Sequence, residues 1–360
     1  MSTTRSRTTD ETTRPERVAV AIPMPNDPDW GLFDAIPPEV PIIVIDDSDG
    51  RLAPPPRDNV RMFDYAAQRE VMGRHHDANP HMSAATRNFG HYLAYTEGYD
   101  VIIALDYDCR TRDGWLDEHL DCIGDVTDAD ALAGAWINPI NAPGFYARGY
   151  PYEYRNPDAS VMTPTTASGR VQLNIGVWDN VLDLNGIDKI QAEPPAEPGL
   201  YGDRNPVAAG NIPVCGMNTA FAAEVTPAYF FLPDVWVNGT WQLSRHDDIW
   251  GGYVLKRLLD VRGDLVTFGR PIVEHTRQSK LERVMVLEQW MHLMSMPFYD
   301  IVDAAAGRVD SGSYAAMFAH FAEEYERQID KSTDPAHYLA VYRELGVWMQ
   351  RWAAAFEDYR

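Results

Sequence analysis

The sequence predicts an α/β fold of the Rossmann type, and three observations carry the prediction. Short apolar runs recur at Val18-Ala19-Val20-Ala21-Ile22, Pro41-Ile42-Ile43-Val44-Ile45 and Val101-Ile102-Ile103-Ala104-Leu105, as buried parallel strands do. A helical stretch separates the second run from the third, giving the strand–helix–strand order of a doubly wound sheet. Acidic turns follow the second and third runs, at the carboxyl edge where open α/β sheets take their ligands.

Residues 1–16 carry almost no large apolar side chain and are expected to be a mobile tail. The first strand is closed by Pro23, and the second runs into Asp46-Asp47-Ser48-Asp49-Gly50. Phe89, Tyr92 and Leu93 stand at helical spacing within 83–96. The third strand runs directly into Asp106-Tyr107-Asp108. From 136 to 213 the chain is rich in Pro, Gly, Asn and aromatic residues, so loops and short strands folded over the ligand edge are expected. Helical periodicity returns over 247–259, where Ile249, Tyr253 and Leu255, Leu258 and Leu259 can face inward, and Pro271-Ile272-Val273 is strand-like. Residues 281–360 are expected to be entirely helical, with breaks near 307–312 and 331–335. Their apolar face, with Trp290, Phe318, Phe321, Trp348 and Trp352, exceeds what one small helical layer needs. Packing on the α/β layer explains that first, and a subunit interface second.

The chain has 360 residues, 31 basic and 53 acidic, a formal charge of −22. That balance opposes nucleic-acid backbones and anionic lipid, which need clustered cations. Only four basic residues are Lys, as in a high-GC genome or a salt-adapted surface. Three cysteines, Cys109, Cys122 and Cys215, make no disulfide framework and no zinc spacing, and fit a reducing cytoplasm. No apolar run approaches the roughly 20 residues that span a bilayer, and the N-terminus lacks the apolar centre of a secretory signal, so a soluble cytoplasmic protein is expected. No GxGxxG fingerprint follows a strand, so neither NAD nor flavin is expected.

Two carboxylates one residue apart after a buried strand, Asp106 and Asp108, can both approach a hard cation that diphosphate oxygens also hold, Mn²⁺ or Mg²⁺. The same pattern also occurs on solvated turns. His275 can add a nitrogen ligand, which tilts the choice to Mn²⁺, or be an ordinary hydrogen-bonded histidine. Asp247 and Asp248 stand at a helix start after Arg245 and His246. Capping accounts for them on spacing alone, and holding sugar hydroxyls or acting as base is the second account. Arg148 and Arg155, in an aromatic segment with Tyr150, can bind a diphosphate through the guanidinium fork or pair with surface acids. Spacing assigns no role to Cys215-Gly216-Met217-Asn218.

Taken in order, these pieces resemble the reversibly glycosylated polypeptide family, which includes the plant UDP-arabinopyranose mutases. The likeness is carried by Thr86-Arg87-Asn88-Phe89-Gly90-His91-Tyr92, Asp106-Tyr107-Asp108-Cys109, Arg148-Gly149-Tyr150-Pro151 with Arg155, Gly176-Val177-Trp178-Asp179-Asn180, Pro213-Val214-Cys215-Gly216-Met217-Asn218 and Arg245-His246-Asp247-Asp248-Ile249-Trp250. It runs over 17–280, and the helical segment 281–360 matches loosely. The resemblance implies a GT-A-like catalytic domain over 17–280, binding a nucleotide-diphospho-sugar with Mn²⁺. It further implies an isomerase that interconverts pyranose and furanose sugars without flavin. It makes Asp106 and Asp108 the metal pair, Arg148 the reversibly glycosylated arginine, Arg155 its supporting partner, and Asp47 and Asp49 holders of the nucleoside. Arg87, Tyr150, Trp178, Asn180, Asn218 and Arg245 complete the expected substrate-binding set, with Asp247 or Asp248 as base. The plant proteins carry three consecutive acids where Tyr107 interrupts the pair here, so base or sugar preference is expected to differ. GDP-L-galactose, used by related mutases of actinobacterial antibiotic pathways, is favoured, with UDP-arabinose next. The rival readings are a GT-A glycosyltransferase with a separate acceptor and a non-catalytic nucleotide-sugar-binding protein. A homo-oligomer through the C-terminal helices is the expected partner state.

Overall fold

A computed structural model describes residues 17–48, 50–156, 158, 160–277 and 280–359, so the tail expected over 1–16 and Asp49 lie outside the described residues. The N-terminal half is the expected alternation. Strands β1 (Val18–Met24) and β2 (Ile42–Asp46) are buried at every position, because both faces of a parallel sheet are covered. Then come β3 (Val60–Phe63), α1 (Tyr65–Met72), α2 (Asn88–Thr96) and β4 (Val101–Leu105). The helix expected over 83–96 begins later, because Ser83 caps a 3₁₀ turn at Ala84–Arg87 that feeds α2. β3 and α1 carry no strong sequence signal: β3 is four residues long and none of them is fully buried.

Next follow β5 (Cys109–Arg110), α3 (Trp115–Leu120), β6 (Gly124–Trp136), β7 (Thr163–Asn180), α4 (Gly186–Gln191), β8 (Val207–Asn211) and β9 (Asn218–Ala222). Here the expectation of only short strands within 136–213 fails, since β7 runs 18 residues. Its first eight residues, Thr-rich and without a large apolar side chain, are mostly exposed, and the apolar signal is confined to the buried 171–178. Nor does the whole segment fold over the ligand edge, because β6, β7 and β8 extend the sheet.

The remaining elements are β10 (Val235–Val237), β11 (Trp241–Leu243), α5 (Asp247–Arg262), β12 (Leu265–His275), α6 (Leu281–Ala306), α7 (Tyr314–Ile329) and α8 (Ala336–Ala354). The three C-terminal helices break where the Gly- and Pro-containing stretches predict. Ten strands form one sheet in the order β3-β2-β1-β4-β9-β7-β6-β8-β12-β5, with β12 also pairing parallel to β7. β3, β2, β1 and β4 are parallel, and β9 joins β4 antiparallel. An acidic turn thus stands at the carboxyl end of β4 in a half-parallel Rossmann-type sheet.

Period-two alternation splits each parallel strand between two cores. Ala19, Ala21, Ile43, Ile45, Ile102 and Ala104 face one layer, and Val20, Ile22, Ile42, Val44, Ile103 and Leu105 face the other. The C-terminal helices belong to the first layer: Trp250 stacks on Phe298 at 4.2 Å and Phe230 on Trp352 at 5.2 Å. Most of their apolar face is covered within the chain, with Met285, Val286, Leu293 and Val347 left exposed, and no helix among the described residues is long and apolar enough to cross a membrane.

Candidate active site

The carboxyl ends of β1, β2 and β4 open into a cleft of about 330 Å³ whose walls include Asp47, Arg87, Asp106, Asp108, Asp234 and Arg277. Buried Asp46 accepts from the Ser48 amide and hydroxyl and the Gly50 amide, which shapes the turn after β2 and leaves Asp47 at the cleft. Asp47 accepts from the Met82 amide (2.7 Å) and Tyr65 hydroxyl (2.9 Å), and burial raises its pKa.

At the next strand end, Asp106 Oδ1 accepts from Arg87 Nη2 at 2.8 Å. Burial first, and the neighbouring Asp106 charge second, push Asp108 up to about 6. His275 donates from Nδ1 to the Val181 carbonyl (2.7 Å), which leaves Nε2 bare, 3.9 Å from Asp108 Oδ2. The donor set fits a hard divalent ion: two neighbouring carboxylates at one strand end, backed by a histidine whose Nδ1 is committed to the Val181 carbonyl. Among the described residues no three His, Cys, Asp or Glu groups gather to hold an ion by themselves, so ligand oxygens would have to complete the shell.

Behind the cleft lies a buried ionic centre. Arg148 follows the β6 loop, where Gly149 has φ +85° and a Cβ would stand 2.5 Å from Ile249, so only glycine lets the chain pass. The Arg148 guanidinium forks onto Asp248 (2.9 and 2.6 Å), gives Nε to Asp183 (2.7 Å) and Nη1 also to the Arg245 carbonyl (2.8 Å), and lies 3.9 Å from Cys215 Sγ. Burial lowers its pKa, but Asp183 and Asp248 outweigh that and raise it well above the ordinary value. Burial likewise opposes ionisation of Asp183 and Asp248, yet the arginines hold both low. Asp247 has no such partner: burial and then Asp248 push it up to about 7, and no hydrogen bond to its carboxylate is found among the described residues.

The capping account of this acid pair holds only in part, since both acids stand in the first turn of α5. No side chain caps α5, and Asp248 serves Arg148 and the Gly216 amide (3.1 Å). Arg245 completes the centre, with Nε on Glu288 (2.7 Å) and Nη2 3.3 Å from Asp183. Glu288, buried on α6, also accepts the Gly186 amide at 2.7 Å.

Arg87 joins cleft to centre. Its three nitrogens donate to Ala84 O, Gly216 O and Asp106, and its guanidinium lies over the Phe231 ring. Other expected substrate-binding residues are placed elsewhere. Trp178 is core; Asn218 is saturated by Trp115, His119 and the Val177 and Pro271 carbonyls; Tyr150 packs among Trp136 and Tyr146. Asn180 donates to the His275 carbonyl and lines a separate cavity. Arg155 pairs with Asp188 at 2.5 Å and with the Tyr150 carbonyl, and lies over the Tyr152 ring. None of these five lines the cleft.

Asp183, Glu288 and Arg277 were not singled out by the sequence. Glu288 had a signal, a lone acid at helical spacing between Val284 and Met291 on an apolar stripe. Asp183 sits three residues beyond Asn180 in an otherwise apolar run, which spacing alone does not mark.

The family model described as reversibly glycosylated polypeptide matches residues 36–359. Relatives include a probable UDP-arabinopyranose mutase 1 of Pisum sativum, 24% identical over 214 residues, covering 58% of this chain and 53% of that protein. UDP-arabinopyranose mutase 1 of Arabidopsis thaliana is 27% identical over 146 residues, covering 39% and 36%. The chain thus spans about half the length, or less, of the curated relatives it matches. Among solved structures, glucosyl-3-phosphoglycerate synthase from Mycobacterium tuberculosis aligns with a TM-score of 0.40 and 13% identity over 78% of this chain and 80% of that one. With the model match extending over most of its length, the chain belongs to the reversibly glycosylated polypeptide family.

Proposed function

We propose that the protein is a nucleotide-sugar mutase that interconverts pyranose and furanose forms of the sugar. The observation that carries this reading is a continuous polar chain, Asp106–Arg87–Gly216–Asp248–Arg148–Asp183, from the cleft to a buried arginine. The nucleotide diphosphate would occupy the cleft, with Asp47 toward the nucleoside. A divalent ion held by Asp106 and Asp108, with His275 behind, would supply charge neutralisation on the departing diphosphate.

Ring contraction breaks the anomeric C1–O bond and leaves the electron pair on the diphosphate. The sugar must then be retained while the ring opens, recloses through another hydroxyl and recovers the nucleotide. Arg148 is the group to retain it. Covalent capture at C1 needs an N–H proton to leave, and Asp248, which already accepts from that guanidinium, or Asp247 beside it, pushed up to about 7, would receive it. A second reading keeps Arg148 non-covalent, as a fixed charge against the ring-opened sugar, and its commitment to Asp248, Asp183 and the Arg245 carbonyl favours it.

Incubation with UDP- and GDP-sugars, UDP-arabinose and GDP-L-galactose among them, plus Mn²⁺ and no acceptor should yield the isomeric nucleotide sugar. Release of free nucleotide that requires an added acceptor would instead identify a transferase. EDTA should abolish conversion, and full turnover in its presence would remove the ion from the mechanism. Peptide mass spectrometry after quenching separates the two roles of Arg148, since only capture leaves the sugar on that residue.

A further inference from the structure

The cleft carries four carboxylates, Asp47, Asp106, Asp108 and Asp234, against two guanidinium groups, Arg87 and Arg277. A nucleoside diphosphate entering it needs a cation whose donors are free to turn toward phosphate oxygens. Arg87 does not qualify. It is buried, and each of its three nitrogens already donates within the protein. Turning it toward a ligand would leave buried carbonyls without their donor.

Arg277 is the opposite case. It is exposed, and among the described residues its hydrogen bond is from Nη1 to the hydroxyl of Tyr107, with Nε and Nη2 unengaged. Tyr107 stands between Asp106 and Asp108, so its hydroxyl holds the guanidinium beside the acid pair, and the guanidinium carbon lies 5.9 Å from the Tyr107 ring centre. The main chain fixes the same placement. The amide and hydroxyl of Thr276 donate to the Asp108 carbonyl at 2.9 and 2.8 Å, and His275 pairs with Cys109 in the β5–β12 ladder. The residue before Arg277 is therefore stapled to the turn that carries both acids.

We propose that Arg277 is the diphosphate-binding cation of the cleft and that Tyr107 is its positioning residue. This rests on the nucleotide-sugar reading above. The planar fork takes two phosphate oxygens at once, and a tyrosine hydroxyl orients it without the charge that a carboxylate at position 107 would set against the ligand.

Titration calorimetry with UDP, GDP, UMP and GMP, each with Mn²⁺, tests it on the wild type, Arg277→Gln, Tyr107→Phe and the double variant. Arg277→Gln should weaken the diphosphate that the wild type binds by roughly 10- to 100-fold, as loss of a charge-assisted contact does, and the matching monophosphate by less than about threefold. Tyr107→Phe should weaken the diphosphate by roughly 3- to 10-fold, and should add nothing in the Arg277→Gln background, because the hydroxyl acts through the guanidinium. Unchanged diphosphate affinity in Arg277→Gln, or an equal loss on mono- and diphosphate, overturns the assignment of Arg277. An additive double variant overturns the positioning role of Tyr107. Failure of the wild type to bind either diphosphate is a different result, because it removes the nucleotide-sugar reading and this inference with it.

Discussion

At the scale of single residues, the two neighbouring acids at the start of α5 have opposite fates because only one meets a guanidinium. Asp248 is forked by Arg148 and stays ionised, whereas Asp247, buried and beside that charge, is pushed up to about 7. A carboxyl whose folded pKa lies above its unfolded value stabilises the fold fully below the unfolded value, and that stability is lost as pH rises through the folded one. Asp247→Asn should therefore melt above the wild type at about pH 8, with the gap closing toward about pH 4. The same variant should lose roughly 10²- to 10⁴-fold in conversion, as removal of a general base does, and wild-type kcat/KM should rise through about pH 7. Wild-type turnover by a more stable Asp247→Asn would dismiss Asp247 as the base. Arg148→Lys should lower conversion by orders of magnitude and also lower the melting temperature. One ammonium cannot satisfy Asp183, both Asp248 oxygens and the Arg245 carbonyl, and breaking a buried pair costs about 3–5 kcal/mol.

At the scale of elements, the site depends on how closely α5 and α6 approach it. A Cβ on Gly251 in α5 would stand 2.2 Å from the Phe230 carbonyl oxygen, and one on Gly252 would stand 2.3 Å from Val214 Cβ. In an exposed helix Gly→Ala gains about 1 kcal/mol. Here the sign reverses, and Gly251→Ala should cost about 1–3 kcal/mol by forcing α5 off the Phe230 backbone, measured by denaturant unfolding. From α6, Glu288 holds Arg245 and the Gly186 amide, so the C-terminal segment shapes the centre around Arg148. Glu288→Gln should keep the Gly186 contact and nucleotide affinity but reduce conversion about tenfold or more, since Arg245 loses the nearer of its two carboxylate partners. Equal conversion by the variant would make this contact purely architectural.

At the scale of the whole molecule, the C-terminal helices close the apolar layer of the sheet that bears the site. Trp352 is fully buried, lies on Phe230 and donates Nε1 to the Pro227 carbonyl at 3.1 Å. Trp352→Ala should cost about 3–5 kcal/mol, and activity should fall with the folded fraction, with nucleotide affinity per folded molecule unchanged. The charge of −22 predicts self-repulsion, so the melting temperature should rise as salt is raised from about 0.05 to 0.5 M.

Composition and local pattern by themselves determined the α/β class, the three central strands, the acidic turns at their ends and the three-helix C-terminal segment. Each depends on burial periodicity or on turn and breaker residues close in sequence. The edge strand β3 and the exposed half of β7 escaped, because partly exposed strands carry no continuous apolar run. Tertiary structure alone decided the contacts within the candidate site. Arg148, Asp183, Asp248 and Glu288 are up to 140 residues apart, yet they form one buried network with Arg245, and no spacing rule reports that encounter. The same holds for the division between core and cleft. Trp178 and Asn218 stand in matching motifs but turn inward, and Arg277, in no motif, faces the cleft, because side-chain direction is fixed by the packing of the finished sheet.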